Sequence, residues 1–379
     1  MRVFITSLGL CVVTSCTATE APTLLSGGLR PRLAATKSPV YVLYPHLDQR
    51  IVAFSPEKTG DTSSLQHIAR YFPDLWDPDI TVIRDFAVDE ARLYALASTR
   101  EAADAARLHV VSLKTGALER RLNLPPSPQR LRWADDGRLL VGHATPPKGP
   151  PGRVSVVNTR TLEQERSIIL QGATIDLVSF GKHAFVIERT ERLIGANEVF
   201  ATFQLLSIDL QEGKVLRRRA IPAGARELSI GPTGLLYVAH VSGVGMHSTD
   251  GRVSVFGSDS LRRVDQLPFE MSVRAMASDE TLLVTSLLKD NGDAWFNATA
   301  VDHSTVFDFR FSELVTRQLA VIDGIAYIPL RQKNAFERVD LQKRARLPRV
   351  SLGVERHRDG IGLLRTRMQG AASKTQRAH

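Results

Sequence analysis

Cysteine is almost absent: the 379 residues contain two, Cys11 and Cys16, both near the N-terminus. Whatever folds beyond them has neither a disulfide nor a thiolate metal site, so its stability must come from a hydrophobic core. Aromatic residues are sparse, at 6%. No apolar run approaches the roughly 20 residues that a membrane-spanning helix needs. His-Glu-x-x-His, Walker and zinc-type spacings are missing, and Gly243-Val244-Gly245 lacks the third glycine of a dinucleotide loop. These absences remove the commonest metalloprotease and nucleotide-binding chemistries. Acid is scarce in one place: from Lys343 to the end, ten basic residues face only Glu355 and Asp359. Most of the formal net charge of +9 therefore sits in a C-terminal tail on a nearly neutral body. Such a tail is either solvated or drawn to an anionic surface, membrane anions first.

What is present begins with an address. Arg2 precedes a short apolar run (Val3, Phe4, Ile5, Leu8, Leu10, Val12, Val13) and then small residues up to Cys16, the pattern of a secretory signal. Val13-Thr14-Ser15-Cys16 resembles a bacterial lipobox, which implies acylation of Cys16 and, with Thr17 following, outer-membrane sorting. Residues 17–37, rich in Thr, Ala, Pro, Ser and Gly, read as a flexible tether.

The body repeats. Arg130 to Val141 is apolar strand, Asp136-Gly137 turn, apolar strand, a hairpin signal because glycine accepts the positive φ such turns require. Comparable units surround Asp89-Glu90, Gly181-Lys182, Thr233-Gly234, Asp279-Glu280 and Asp323-Gly324. A third strand follows each, as at Val154–Asn158 and Leu205–Asp209, then a more polar fourth, as at Val215–Ala220. Third strands recur at roughly 40 to 57 residues, the period of a propeller blade. The expectation is an all-β propeller of about seven four-stranded antiparallel blades over residues 38–345, followed by a partly disordered basic tail, 346–379. Blade 1 lacks an obvious first strand, which either residues 347–355 or the tether would supply. The pattern resembles the quinoprotein-dehydrogenase-like and YVTN-type bacterial propellers in architecture, without their tetrapeptide or the WD40 marks. Ser55-Pro56-Glu57-Lys58, Lys58-Thr59-Gly60 and Lys114-Thr115-Gly116 match penicillin-binding-protein motifs. They sit between strands and read as turns, as does the acidic stretch Asp290, Asn291, Asp293.

A site belongs on the face that carries the loops between second and third strands. Those of blades 3 to 6 are long: His143–Gly152, Glu188–Ala201, His240–Arg252 and Leu287–Asn297. The same face receives the starts of the first strands, with Arg84, Asp85, Arg130, Arg132, Asp176, Arg226, Glu227, Arg274 and Arg317. These residues, with His143 and His240 at matching positions, form a candidate channel mouth for an anionic ligand; the plainer alternative is salt bridging between blades. Phe200, Met246, Trp295 and Phe296 are candidate rim anchors for a partner. The expected function is a non-enzymatic, lipid-anchored envelope protein that binds a protein, peptide or glycan, with no cofactor, metal or nucleic acid. The alternative is a propeller enzyme (lyase, hydrolase or quinoprotein-like oxidoreductase) using His143, His240 and Glu188, with Arg130 or Arg226 stabilising negative charge.

Overall fold

A computed structural model describes the segments 40–43, 51–54, 67–71 and 363–366. It also describes 81–351 apart from 100–105, 146–150, 195–197, 232, 241–250, 280, 290–292, 301, 312–318 and 331–334. The described chain is all β: seven four-stranded antiparallel sheets, six of them built from consecutive strands. Blades 2 to 7 occupy 81–124, 128–169, 173–221, 225–269, 272–311 and 320–351. First strands of successive blades touch one another around a closed ring, so the first strand of each sheet lies innermost and the fourth lies at the perimeter.

Burial follows that radial order. Second strands are covered on both faces by neighbouring blades and read as continuous apolar runs; Leu282–Leu288 is buried at every position. Fourth strands face solvent, and Glu163–Ile169 is exposed at all positions but Ile168. Between blades the facing apolar side chains merge into shared clusters, such as that joining Ala275 and Phe296 of blade 6 to Ile328 and Val339 of blade 7. The turns keep the chemistry read in the sequence. Asp323 and Gly324 both adopt positive φ, 51° and 74°, as a tight primed turn requires. Lys114-Thr115-Gly116 is a turn between third and fourth strands.

The ring closes through a segment the sequence reading assigned to the tail. Leu363–Thr366 pairs antiparallel with Val40–Leu43, from Leu43↔Leu363 to Val40↔Thr366, and becomes the first strand of blade 1. Neither residues 347–355 nor the tether supplies it. Ala345–Ser351 is already the fourth strand of blade 7, so the propeller runs beyond residue 345. The reason it was missed is physical: four residues set in a basic segment carry too little periodicity to register as a strand.

Candidate functional site

The register of the first strands sorts the charged residues at the channel mouth into two classes. In blades 2 to 6 each first strand carries a bulge against its second strand, with the extra residue at Arg84, Gln129, Ile175, Arg226 and Arg274. A bulge places one unpaired residue out of the ladder, and all five extra residues are half-buried. The residues just after the bulge, Asp85, Arg130, Asp176, Glu227 and Ala275, are all buried.

That second class is an ion network inside the protein. The innermost strand has no sheet neighbour on its channel side, so its N–H groups need other acceptors. The acids provide them to the next blade. Asp85 Oδ2 accepts from Leu131 N at 3.0 Å, Asp176 Oδ2 from Leu228 N at 3.0 Å, and Glu227 Oε2 from Met276 N at 2.7 Å. Arg132 bridges three blades, donating to Asp85 at 2.7 Å and to Asp176 at 3.0 Å. Arg130 Nε lies 3.6 Å from the same Asp176 oxygen. Burial, together with the nearby Asp176 charge, holds the Glu227 carboxyl well above the usual carboxylate range. The two arginines lie among these three acids, and such mutual pairing is what allows so many ionisable groups to be buried together. Arg130, Arg132, Asp176 and Glu227 are thus interblade ties, the plainer of the two readings. Arg84 donates to Ser98 Oγ at 2.9 Å, and burial lowers its pKa. Arg317 lies outside the described residues.

The histidines occupy one repeated position, His143 opposite Pro128 and His240 opposite Ala225. Both are buried, and burial pushes both imidazoles down to about 4, so they are neutral at pH 7. His143 Nδ1 lies 3.0 Å from Pro126 O, and its Nε2 3.0 Å from Ser155 Oγ. Glu188 accepts from Gln171 N and Gly172 N at 2.6 and 2.9 Å and pairs with Arg218 at 2.5 Å. His143 and Glu188 are thus each engaged within their own blade or the adjoining chain turn, whereas among the described residues no hydrogen bond engages the buried ring nitrogens of His240.

The rim loops differ from one another. In blade 6, Trp295 and Phe296 lie in the third strand, Ala294–Ala300, rather than in a loop. Phe296 is fully buried among Phe307, Phe309 and Phe311, with ring centroids at 6.1, 6.5 and 6.5 Å, and is core rather than an exposed anchor. Trp295 is half-buried under Lys289, whose Nζ stands 5.6 Å from the ring centre. Met246 lies outside the described residues. Asp293 is bound to Arg310 at 2.7 Å.

Blade 4 carries a different object. Its second and third strands, His183–Ile194 and Glu198–Asp209, pair along their whole length. The first strand accompanies this hairpin only as far as Arg189, and the fourth only from Phe203. Residues 190–194 and 198–202 therefore form a two-stranded arm beyond the body of the blade. The Thr190 and Thr202 hydroxyls meet across it at 2.5 Å, and Phe200, opposite Arg192, is 55% exposed.

A cleft of about 990 Å³ opens on the opposite face, among the turns of blades 2, 3 and 4 around Trp133. Sequence reasoning passed over it because it is made of turns. Two repeated ties run through this region. Arg92 pairs with Glu119 at 2.7 Å and donates to Thr159 O of blade 3 at 3.2 Å. Arg138 pairs with Glu165 at 3.4 Å and reaches Leu210 O of blade 4 at 3.5 Å. Arg92 begins a second strand and Arg138 immediately precedes one, and each grips the next blade, so the signal in the sequence was an Arg after the hairpin turn and a Glu on the fourth strand.

No protein-family model and no curated protein matches the chain. Solved structures do match in fold. A functionally unknown protein from Desulfotomaculum acetoxidans superposes with TM-score 0.58 at 12% identity, covering 88% of this chain and all of that one. Kuenenia stuttgartiensis hydrazine synthase gives 0.54 at 12%, covering 86% and 100%. The dihydro-heme d1 dehydrogenase NirN gives 0.52 at 12%, covering 87% and 77%. These are propeller-type folds, and at such identities the likeness concerns architecture alone.

Proposed function

We propose that this chain is a non-enzymatic envelope protein that captures a protein partner on its rim through the blade 4 arm. The observation that carries the reading is the arm itself. Residues 190–194 and 198–202 have left the blade, so each of the two strands there presents a backbone edge that neither the first nor the fourth strand covers. An exposed edge is a template for strand addition by another chain, and an exposed aromatic beside it supplies an anchor. Phe200 is that aromatic. A protein fits this better than a glycan, because backbone edges recognise backbone. The engagement of His143, Glu188, Arg130 and Arg132 in structural bonds supports placing recognition on the arm rather than chemistry at the channel. The proposal includes export and acylation at Cys16, on the strength of the lipobox-like Val13-Thr14-Ser15-Cys16.

The test is capture from envelope extract by three proteins: the wild type, Phe200→Asp, and a chain in which an Asn-Gly turn replaces residues 190–202. Loss of one and the same partner in both variants, with thermal unfolding unchanged, supports the reading. Equal capture by all three overturns it. In the same preparation, washed at high salt to release electrostatic contacts, Cys16→Ala shifts the protein from the membrane to the soluble fraction, and continued membrane retention removes the anchor.

A further inference from the structure

We infer that the outer edge of blades 4 and 5 is a contact surface for an anionic lipid bilayer, independent of any acylation at Cys16 and of the arm. The inference starts from a second repeated bulge, between the third and fourth strands. Its extra residue is Glu119 in blade 2, Glu165 in blade 3, Leu216 in blade 4, Val264 in blade 5 and Val306 in blade 6. In blades 2 and 3 that residue grips an arginine, Arg92 or Arg138. In blade 6 it packs partly against the core. Among the bulges of blades 2 to 6, it is an aliphatic side chain turned to solvent only in the adjacent blades 4 and 5, Leu216 at 51% and Val264 at 57% exposure.

The charges around these two residues are predominantly basic. The fourth strand of blade 4, Lys214–Ile221, carries Lys214, Arg217, Arg218 and Arg219 and no acid. Blade 5 adds exposed Arg262 and Arg263 beside Val264. The nearby acids are largely occupied: Glu212 lies 3.6 Å from Lys214, and Asp265 is bound to His303. Glu188 takes Arg218, leaving Arg217, Arg219 and Arg262 with no ion-pair partner among the described residues.

A solvated edge strand explains arginines, and isolated exposed aliphatics are ordinary. What neither explains is the exchange, at one structural position in two neighbouring blades, of an ion-paired glutamate for an exposed aliphatic within a field of cations. Aliphatic tips flanked by guanidinium groups suit the headgroup boundary of a bilayer, where the tips leave water and the cations meet phosphates. The outermost strand of a propeller forms a convex perimeter, and a bilayer is a partner that needs no groove.

The experiment uses the full chain carrying Cys16→Ser, so that no acyl group confers binding. It measures co-sedimentation with phosphatidylcholine vesicles, with and without phosphatidylglycerol. Binding is expected only with phosphatidylglycerol, and high salt should abolish it. The triple variant Arg217→Gln, Arg219→Gln, Arg262→Gln should lose about a hundredfold in partitioning, and Leu216→Ser with Val264→Ser about tenfold. Thermal unfolding confirms that each variant is folded. Absence of binding by the Cys16→Ser protein, or unchanged binding by both variants, overturns the inference. So does loss of all binding on truncation after Thr366, because the basic tail would then be the ligand-bearing segment. These outcomes are separate from partner capture by the arm, which none of the edge substitutions touches.

Discussion

At the scale of single residues, Arg132 has the most consequential position. It lies buried between Asp85 and Asp176, which also receive the N–H groups of Leu131 and Leu228. Removing one partner of a buried ionic network costs more than the network contributes, because the remaining charges stay desolvated. Arg132→Met is therefore expected to lose about 3–5 kcal/mol in chemical denaturation. A loss below about 1 kcal/mol, within the range of a surface pair, would refute the account of these residues as interblade ties. The residue types at the channel mouth were legible in the sequence. Their roles were not, because a bulge shifts the register by one residue and separates half-buried Arg84, Arg226 and Arg274 from buried Arg130 and its acidic equivalents. Phe296 illustrates the same limit: aromatic residues near a strand end look alike in sequence whether they face solvent or the neighbouring blade.

At the scale of the element, strands and turns were readable because each carries its own local signal. Asp and Asn at turn entries cap the backbone that follows, as Asp209 Oδ1 does for Gln211 N and Glu212 N at 2.8 and 2.9 Å. The blade 4 arm was readable only as a long loop between Glu188 and Ala201, since a two-stranded extension has no buried face to impose alternation. Second-strand ends also set a pH dependence. His143 and His240 titrate near 4 when folded, below the usual value of about 6.5 in an unfolded chain. Between these values the unfolded chain binds protons that the native state refuses. The histidines therefore contribute stability above about pH 6.5 that is lost as the pH falls toward 4, up to about 3 kcal/mol each. Thermal midpoints measured across this window should fall with acidification, and less steeply in a His143→Gln, His240→Gln protein. Equal slopes in the two proteins would mean that other groups govern the acid limb.

At the scale of the whole molecule, the propeller depends on joining its two ends. Blades 2 to 7 are each continuous in sequence, whereas blade 1 takes three strands from residues 40–71 and its first from Leu363–Thr366. That strand also completes the inner ring, touching Ala320–Ile322 of blade 7 on one side and Thr81–Val88 of blade 2 on the other. Without it the ring has a gap, Val40–Leu43 becomes an uncovered edge, and the inner strands of blades 2 and 7 each lose a neighbour. Deleting residues 357–379 should therefore lower the thermal midpoint substantially, by on the order of 10 °C, since a loss of several kcal/mol in a domain of this size shifts it by a few degrees per kcal/mol. Deleting only residues 367–379 removes basic charge but keeps the strand, and should leave unfolding nearly unchanged. Leu364→Pro gives the sharper comparison, because it retains length and charge while its ring constrains the backbone of the strand. A closing role requires the proline variant to follow the long truncation. If it follows the short one instead, the ring is held by the interfaces between blades, and the pairing of Leu363–Thr366 with Val40–Leu43 adds little.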